Sequence, residues 1–322
     1  MGALFRNAIS FANDWSEPDV KSVSTATLSI VVPVYRPYNF PEFLQHLDSV
    51  SGACEVILVD DSGDGDESVA KSVANRARVK LLTHAVNLGR PAARNTGAVH
   101  ATGDILVFLD QDMFISPKFL ARVRALISTN DRGVVLGMHE TCSVVDIPSA
   151  SRWHEPALTV DWRHGIRVDD GLVDLTAAGV GSVTNHCQPS EWIDLCGESR
   201  DFRDLGIAPT STRGFWDLAS MVVSHSMAID RNCFQKVGGF PEWIRGWGGE
   251  DIVLGFSAAA ANIPIIPSGC VGYQAQHEPY SGSEATKMAE LSKNLDSYRS
   301  WAQAADGFQK IDIGEISKRI AK

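Results

Sequence analysis

Apolar positions in the first half of the chain fall into short unbroken runs, separated by stretches of helical spacing. Leu28–Val34 is β-branched and apolar, residues 37–50 have helical spacing, and residues 56–59 are a second apolar run. A polar turn over 61–66 leads into a helical stretch over 67–77, and Val79–Thr83 is a third strand. Helix over 91–100, strand over Ile105–Leu109, helix over 116–128 and strand over 133–137 continue the alternation. Strands that are apolar at every position are buried on both faces. Separated by helices, they predict an α/β fold with a mostly parallel sheet covered on both sides. Such a sheet holds its ligands beyond the carboxyl ends of its strands.

The alternation breaks down from about 142 to 218, where Trp153, Trp162, Trp192 and Trp216 are scattered among Asp, Arg, His and Gly without a steady period. A stretch of this kind is either a decorated binding region or a set of loops packed on the main domain. Order returns at 221–229, followed by Gly238-Gly239-Phe240, a helix over 250–261 and short strands at 263–266 and 271–274. Glu284–Ala304 reads as a terminal helix, with a polar, loosely held tail to Lys322. There is no internal repeat and no low-complexity tract.

Composition narrows the classes. With 44% hydrophobic and 21% charged residues over 322 positions, the bulk of the chain is globular. Twenty-nine Lys and Arg against 39 Asp and Glu give a net charge of -10. That balance argues against gripping nucleic acid or an anionic membrane through bulk electrostatics, and leaves room for a local basic phosphate pocket. The six cysteines, at 54, 142, 187, 196, 233 and 270, form no C-x-x-C pair and read as reduced, mostly buried thiols. Residues 1–15 hold one Arg and no apolar run of signal-peptide length, and Arg6 stands where a myristoylation signal needs Ser or Thr. The longest apolar runs are strand-sized, so no transmembrane segment is expected. The expectation is a soluble, cytoplasmic protein.

Chemistry concentrates at the ends of the apolar runs. Asp110-Gln111-Asp112 follows Ile105–Leu109, and extended residues two apart point the same way, so the two carboxylates share one side. Two hard oxygen ligands there suit Mg²⁺ or Mn²⁺ with substrate phosphate completing the shell, or form an acidic turn capping the next helix. Val59-Asp60-Asp61-Ser62 is again a strand running into acids, which serve either a turn or a nucleobase N–H. In Asn87-Leu88-Gly89-Arg90-Pro91-Ala92-Ala93-Arg94-Asn95-Thr96-Gly97, Pro91 suits a first helical turn. Arg94 then lies about one turn in, placed for a phosphate or for a nearby Asp. Gly246-Trp247-Gly248-Gly249-Glu250-Asp251 lets backbone approach a ligand, with the Trp247 face available to a sugar ring. Glu250 and Asp251 suit the positive end of a helix. Being adjacent, they point in different directions, so one can hold a hydroxyl while the other takes its proton. His277 lies past a strand and before Glu278-Pro279.

Taken in order, Val32-Pro33-Val34-Tyr35, Val59-Asp60-Asp61-Ser62, Asn87-Leu88-Gly89 with Ala93-Arg94-Asn95-Thr96-Gly97, Asp104 to Asp112, and Gly246 to Asp251 followed by His277 resemble GT-A glycosyltransferases of family 2. The Trp-Gly-Gly-Glu-Asp segment also resembles that of β-1,4-galactosyltransferases and chondroitin-type polymerases. The resemblance covers about 28–128 and 220–278, and leaves 142–218 unmatched. It implies a GT-A, Rossmann-like sheet with an acceptor-side insertion. It implies that Pro33, Val34 and Tyr35 line the uracil and ribose site, that Asp61 (or, second, Asp60) accepts from the base, and that Arg94 lies near the ribose or diphosphate. Asp110 would contact ribose or metal, Asp112 would ligate Mn²⁺ or Mg²⁺, and His277 would be the second protein ligand. Asp251 would be the general base. Trp247, Gly248, Gly249 and Glu250 would meet the sugar or acceptor. One departure stands out: the common Asp-Gly-Ser turn is Asp61-Ser62-Gly63 here.

The expectation is therefore an inverting transferase moving a sugar from a nucleotide-sugar donor, a UDP-sugar first, to a carbohydrate or small-molecule acceptor hydroxyl. Retaining relatives with a similar segment usually carry Asn at the position of Asp251. The corresponding division is an N-terminal extension over 1–26 and a nucleotide-sugar-binding half over 27–140. An acceptor-binding and catalytic half follows over 141–280, then a C-terminal helix and tail over 281–322. Two other classes remain open: a sugar-nucleotide-binding protein without catalysis, and a nucleotidyltransferase. The second would need a Gly-rich, Arg-containing loop after the first strand, where Pro33-Val34-Tyr35-Arg36-Pro37 stands.

Overall fold

Leu28–Val34 forms strand β1, and every one of its seven residues is buried. In the computed structural model, which describes residues 25–115, 118–129, 133–142, 160–161, 166–169, 172–174, 211–213, 222–275 and 284–304, β1 lies inside the sheet. It pairs in parallel with β2 (Glu55–Asp60) on one side and β4 (Ile105–Leu109) on the other. β3 (Val79–Thr83) adds in parallel to β2. Pairing with β4 ends at Val31, so Pro33 sits where β1 is paired with β2 alone. A proline that lacks an N–H is tolerated there.

Beyond β4 the sheet changes direction. β11 (Ser226–Asp230) is antiparallel to both β4 and β6 (Val134–Cys142). β12 (Ile265–Ala275) is parallel to β6 and antiparallel to β5 (Met113–Phe114). The order is β3-β2-β1-β4-β11-β6-β12-β5, eight strands in all. The sequence expectation of two short strands at 263–266 and 271–274 is corrected to one. β12 keeps its pairing with β6 across an irregularity between Pro267 and Val271, as a bulged strand does. Within the stretch read as irregular, β7 (Val160–Asp161), β8 (Ile166–Asp169), β9 (Leu172–Asp174) and β10 (Ser211–Arg213) form a separate four-stranded sheet. Trp153, Trp162, Trp192, Trp216 and the 305–322 tail lie outside the described residues.

Strand alternation splits the core between the two faces of the main sheet. Ile30, Val32 and Val34 pack with Phe43, Leu44 and Leu47 of α1 (Phe40–Ser51) and with Phe119 and Val123 of α4 (Phe119–Thr129). On the opposite face, Val31, Ile57, Val59 and Phe108 pack with Ala93 of α3 (Arg90–His100), Phe234 of α5 (Arg231–Lys236) and Leu254 of α6 (Glu250–Ala260). The sheet is thus covered on both sides, as its uninterrupted apolar strands require. α2 (Glu67–Val73) starts at Asp66, whose side chain accepts from the N–H groups of Ser68 and Val69, a capping arrangement that satisfies otherwise orphaned donors. α1 begins at Phe40, three residues later than its spacing suggested, because Arg36 and Asn39 both take positive φ in the loop before it. α7 (Glu284–Ala304) closes the described chain.

Candidate active site

The carboxyl ends of β1, β2 and β4 open toward one side of the sheet, and most of the residues singled out above lie there or on the two loops that meet them. β1 ends at Val34 and is followed by Tyr35, which is exposed. The Tyr35 N–H donates to Gln111 Oε1 at 2.9 Å, and Gln111 Nε2 donates back to the Tyr35 carbonyl at 3.0 Å. The middle residue of Asp110-Gln111-Asp112 therefore ties the end of β1 to the acidic turn after β4, as a backbone pair would. Nothing in its sequence position signals this, since its partner is 76 residues away.

The two acids at the end of β2 are both bonded within the protein. Asp60 accepts from the N–H groups of Ser62 and Asp66 at 2.9 and 2.7 Å. Asp61 Oδ1 accepts from Leu88 N–H at 2.8 Å and lies 2.7 Å from His84 Nδ1, while Oδ2 accepts from Gly89 N–H at 2.8 Å. His84 is buried and reaches Thr96 Oγ1 at 2.9 Å with its other nitrogen. Asp61 thus anchors the Asn87-Leu88-Gly89 turn that leads into α3. Gly63 has φ 98, so the interchanged Ser-Gly pair still makes a turn, with glycine where the positive φ falls.

α3 carries the central cation. Pro91 sits in its first turn, where a missing N–H costs nothing, and Arg94 follows one turn in, 1% exposed. Its Nη1 donates to Glu250 Oε1 at 2.9 Å and its Nη2 to Asp110 Oδ1 at 2.8 Å. One guanidinium therefore joins the acidic turn after β4 to the start of α6, and its plane lies over the Phe240 ring at 5.3 Å. Asn95 completes the join, donating to the Phe240 carbonyl at 2.8 Å and accepting from its N–H at 2.9 Å. Arg94 thus makes the carboxylate contacts that its position allowed.

Asp112 is 4% exposed, and its Oδ2 accepts from Gln274 Nε2 at 3.0 Å. Asp110 and Asp112 lie at one strand end, while His277 lies outside the described residues. Among the described residues, no three His, Cys, Asp or Glu converge as a complete metal cage. Residues 110–112 form a turn, with the Met113 N–H on the Asp110 carbonyl, in place of the extended geometry expected to set both carboxylates on one side. Two carboxylates near one strand end still suit a hard divalent ion that keeps open positions for phosphate oxygens.

The glycine loop shapes the start of α6. Gly246, Gly248 and Gly249 have φ of 82, 79 and 99, a conformation that L side chains rarely adopt. Gly249 is the N-cap and supplies no side chain, so Glu250 and Asp251 occupy the first turn directly. Their environments diverge. Burial pushes Glu250 up, but Arg90, 3.9 Å from its Oε1, and Arg94 outweigh this and hold the carboxyl below its usual range. Asp251, half-buried, is pushed up to about 7, first by burial and then by the Glu250 charge. Its own donors are Ile252 N–H at 2.9 Å and Ser224 N–H at a long 3.4 Å. Adjacent acids thus become a fixed anion and a group that exchanges its proton near neutrality. Arg245 donates from Nη1 to the Leu88 carbonyl and joins this loop to the turn that Asp61 anchors. Trp247 is half-buried, with Lys287 Nζ 5.7 Å from its ring centre.

A mostly parallel sheet, an Asp-x-Asp turn beyond its central strands and a second acidic pair facing it across one arginine define a GT-A glycosyltransferase fold. Residues 29–180 match the model of the family described as glycosyl transferase family 2, and residues 220–262 match that of the N-terminal domain of galactosyltransferase. The chain is 28% identical over 287 residues to polypeptide N-acetylgalactosaminyltransferase 11 of Xenopus tropicalis, covering 83% of this chain and 42% of the relative. It is 29% identical over 286 residues to validoxylamine A glucosyltransferase of Streptomyces hygroscopicus subsp. jinggangensis, covering 84% and 60%. The chain thus spans about half the length of these relatives. The fold is shared with a mannosyltransferase of Pyrobaculum calidifontis in complex with GDP-Man and Mn²⁺ (TM-score 0.51, 17% identity, 95% of this chain and 77% of that one). It is shared equally with GalNAc-T7 with UDP, GalNAc and Mn²⁺ (TM-score 0.52, 15% identity, 91% and 53%). Relatives and fold neighbours alike are glycosyltransferases, and this chain has their fold. Among the described residues no helix is long and apolar enough to cross a membrane.

Proposed function

We propose that the protein is an inverting, metal-dependent glycosyltransferase that moves a sugar from a nucleoside-diphosphate sugar, a UDP-sugar first, to an acceptor hydroxyl. The observation that carries this reading is the split between Glu250, held as an anion by Arg90 and Arg94, and Asp251, raised by burial and by that anion, with Arg94 also bonded to Asp110. Asp251 takes the proton from the acceptor O–H as that oxygen attacks the anomeric carbon. The bond from that carbon to the diphosphate breaks on the opposite face, and its electron pair leaves with the diphosphate. A base tuned near neutrality is half ionised at working pH and strong enough to accept a proton. Arg94 ties the donor and acceptor sides together, because its two terminal nitrogens, Nη1 and Nη2, each bond one carboxylate. Glu250 acts through charge, with Oε1 held by Arg94, and borders the sugar or acceptor together with Trp247, Gly248 and Gly249.

Pro33, Val34 and Tyr35 border the nucleoside, held to the acidic turn by Gln111. Asp61 serves nucleotide binding by shaping the 87–89 turn. Asp110 and Asp112, with His277, would hold a divalent ion; when bound, it offsets the charge of the departing diphosphate. The Mn²⁺ in the complexes of the two fold neighbours supports that choice of ion. In this assignment residues 27–140 form the nucleotide-sugar half and 141–280 the acceptor half.

A screen of nucleotide sugars with and without Mn²⁺ tests the reading, followed by NMR of the product's anomeric configuration. Metal-dependent turnover with inversion is expected. Retention of configuration contradicts the single displacement, and pyrophosphate release from a nucleoside triphosphate points to nucleotidyl transfer instead.

A further inference from the structure

The C-terminal helix α7 begins more than twenty residues after the second matched segment ends at 262, yet it holds the loop that delivers the acidic pair. Lys287, Glu290, Leu291 and Asn294 recur at three- and four-residue spacing, so they form one stripe along the helix. Glu290 Oε2 accepts from the Trp247 N–H at 2.8 Å. Asn294, 5% exposed, aims its amide nitrogen at three carbonyls of the loop: Gly248 at 2.8 Å, and Arg245 and Trp247 each at 3.3 Å. The carbonyls of 245, 247 and 248 converge on one donor in a loop that turns through positive φ at Gly246 and Gly248.

The fit is tight, and a side chain on any of the three glycines would require a neighbour on α7 to shift. A Cβ on Gly246 would come within 3.0 Å of the Glu290 carboxylate, one on Gly248 within 3.2 Å of Leu291, and one on Gly249 within 3.3 Å of Asn294. Gly249 caps α6 without a side chain, so the direction in which Glu250 and Asp251 leave the loop depends on what packs behind it. α7 supplies that packing.

We propose that Asn294 and Glu290 are positioning residues for transfer: they fix the 245–249 loop in the conformation that sends Glu250 to Arg94 and leaves Asp251 to meet the acceptor. The proposal rests on the glycosyltransferase reading. It differs from a merely structural role for α7 in what it predicts for rate against binding.

The test uses the full chain and three variants. N294D keeps the shape and removes both donors. E290A removes the acceptor for the Trp247 N–H, and E290Q restores one. A misplacement of about 1 Å costs on the order of 10²-fold in rate. N294D and E290A are therefore expected to lose about 10- to 100-fold in kcat, with UDP affinity in the presence of Mn²⁺ unchanged, and E290Q to recover most of the loss. Hydrogen exchange at the 245–249 amides is expected to be slow in the wild type and fast in N294D and E290A. Glu290 is half-buried, so E290A carries the test should N294D fail to fold. Wild-type kcat in E290A, with exchange opened or not, overturns the proposal, as does an equal loss in E290A and E290Q. A wild-type protein that turns over no nucleotide sugar sinks the transferase reading, whereas the loop contact is reported independently by exchange.

Discussion

Two pairs of adjacent acids sit at the open side of the sheet, Asp60-Asp61 at the end of β2 and Glu250-Asp251 at the start of α6, and the protein treats them in opposite ways. Every carboxylate oxygen of the first pair faces a donor: four backbone N–H groups and His84 within 2.7 to 2.9 Å. Those acids build turns. The second pair meets two arginines on one member and little on the other, whose longer donor contact is 3.4 Å. That asymmetry turns a pair of like residues into a fixed anion beside a titrating group. Donor supply, more than residue type, decides whether an acid is architecture or chemistry.

The contrast can be broken from either side. Replacing the titrating acid should have the largest effect: Asp251→Asn is expected to lower kcat by ~10² to 10⁴, with donor binding kept, in steady-state assays. Next comes the buried arginine that bonds both Glu250 and Asp110. Arg94→Met strands Glu250 and Asp110, both bonded to a nearly inaccessible guanidinium, and removing one partner of a buried pair costs about 3–5 kcal/mol. Chemical denaturation should show that loss at neutral pH and a smaller one at low pH, where both carboxylates are protonated.

On the architectural side, Asp61→Ala orphans Leu88 N–H, Gly89 N–H and His84, a cost of about 1–3 kcal/mol for each buried group left unsatisfied. Nucleotide affinity and melting temperature should therefore fall together. If titration shows lost UDP affinity while the melting temperature holds, Asp61 faces the base and not the loop. The smallest effect is on the pH dependence of stability. Asp251 has a raised folded pKa, so its contribution favours the folded state at low pH and is lost as pH rises through about 7. Asp251→Asn removes that loss, so its melting temperature relative to wild type should rise between pH 5 and pH 8.

Much of the scaffold was legible because burial on both faces writes itself as unbroken apolar runs. Leu28–Val34, Val79–Thr83, Ile105–Leu109 and the helix Glu284–Ala304 occur at the bounds their patterns indicate. β12 was not legible as one strand, because Pro267 and Gly269 interrupt its pattern while the pairing with β6 continues on both sides. In the site, the acids and Arg94 stand out by type and spacing. Their partners do not: Gln111, His84, Asn95, Gln274, Glu290 and Asn294 are ordinary polar residues whose roles arise from contacts far apart in sequence. Asn294 lies 46 residues from Gly248 and Gln274 lies 162 from Asp112. No periodicity encodes such meetings. The Asp60-Asp61 pair shows the converse, since its sequence context fits a base contact as well as the turn it makes.

The central claim is that burial first, and then the Glu250 charge held by Arg90 and Arg94, raise Asp251 into the range of a working base. The pH–rate profile of Glu250→Gln against wild type tests it most directly. In the wild type, kcat should rise about tenfold per pH unit below an inflection near 7 and level off above it. Gln removes the anion and leaves the two arginines near Asp251, and both changes favour its ionised form. The account predicts that the inflection moves to lower pH in the variant. An inflection that stays in place or moves upward contradicts it.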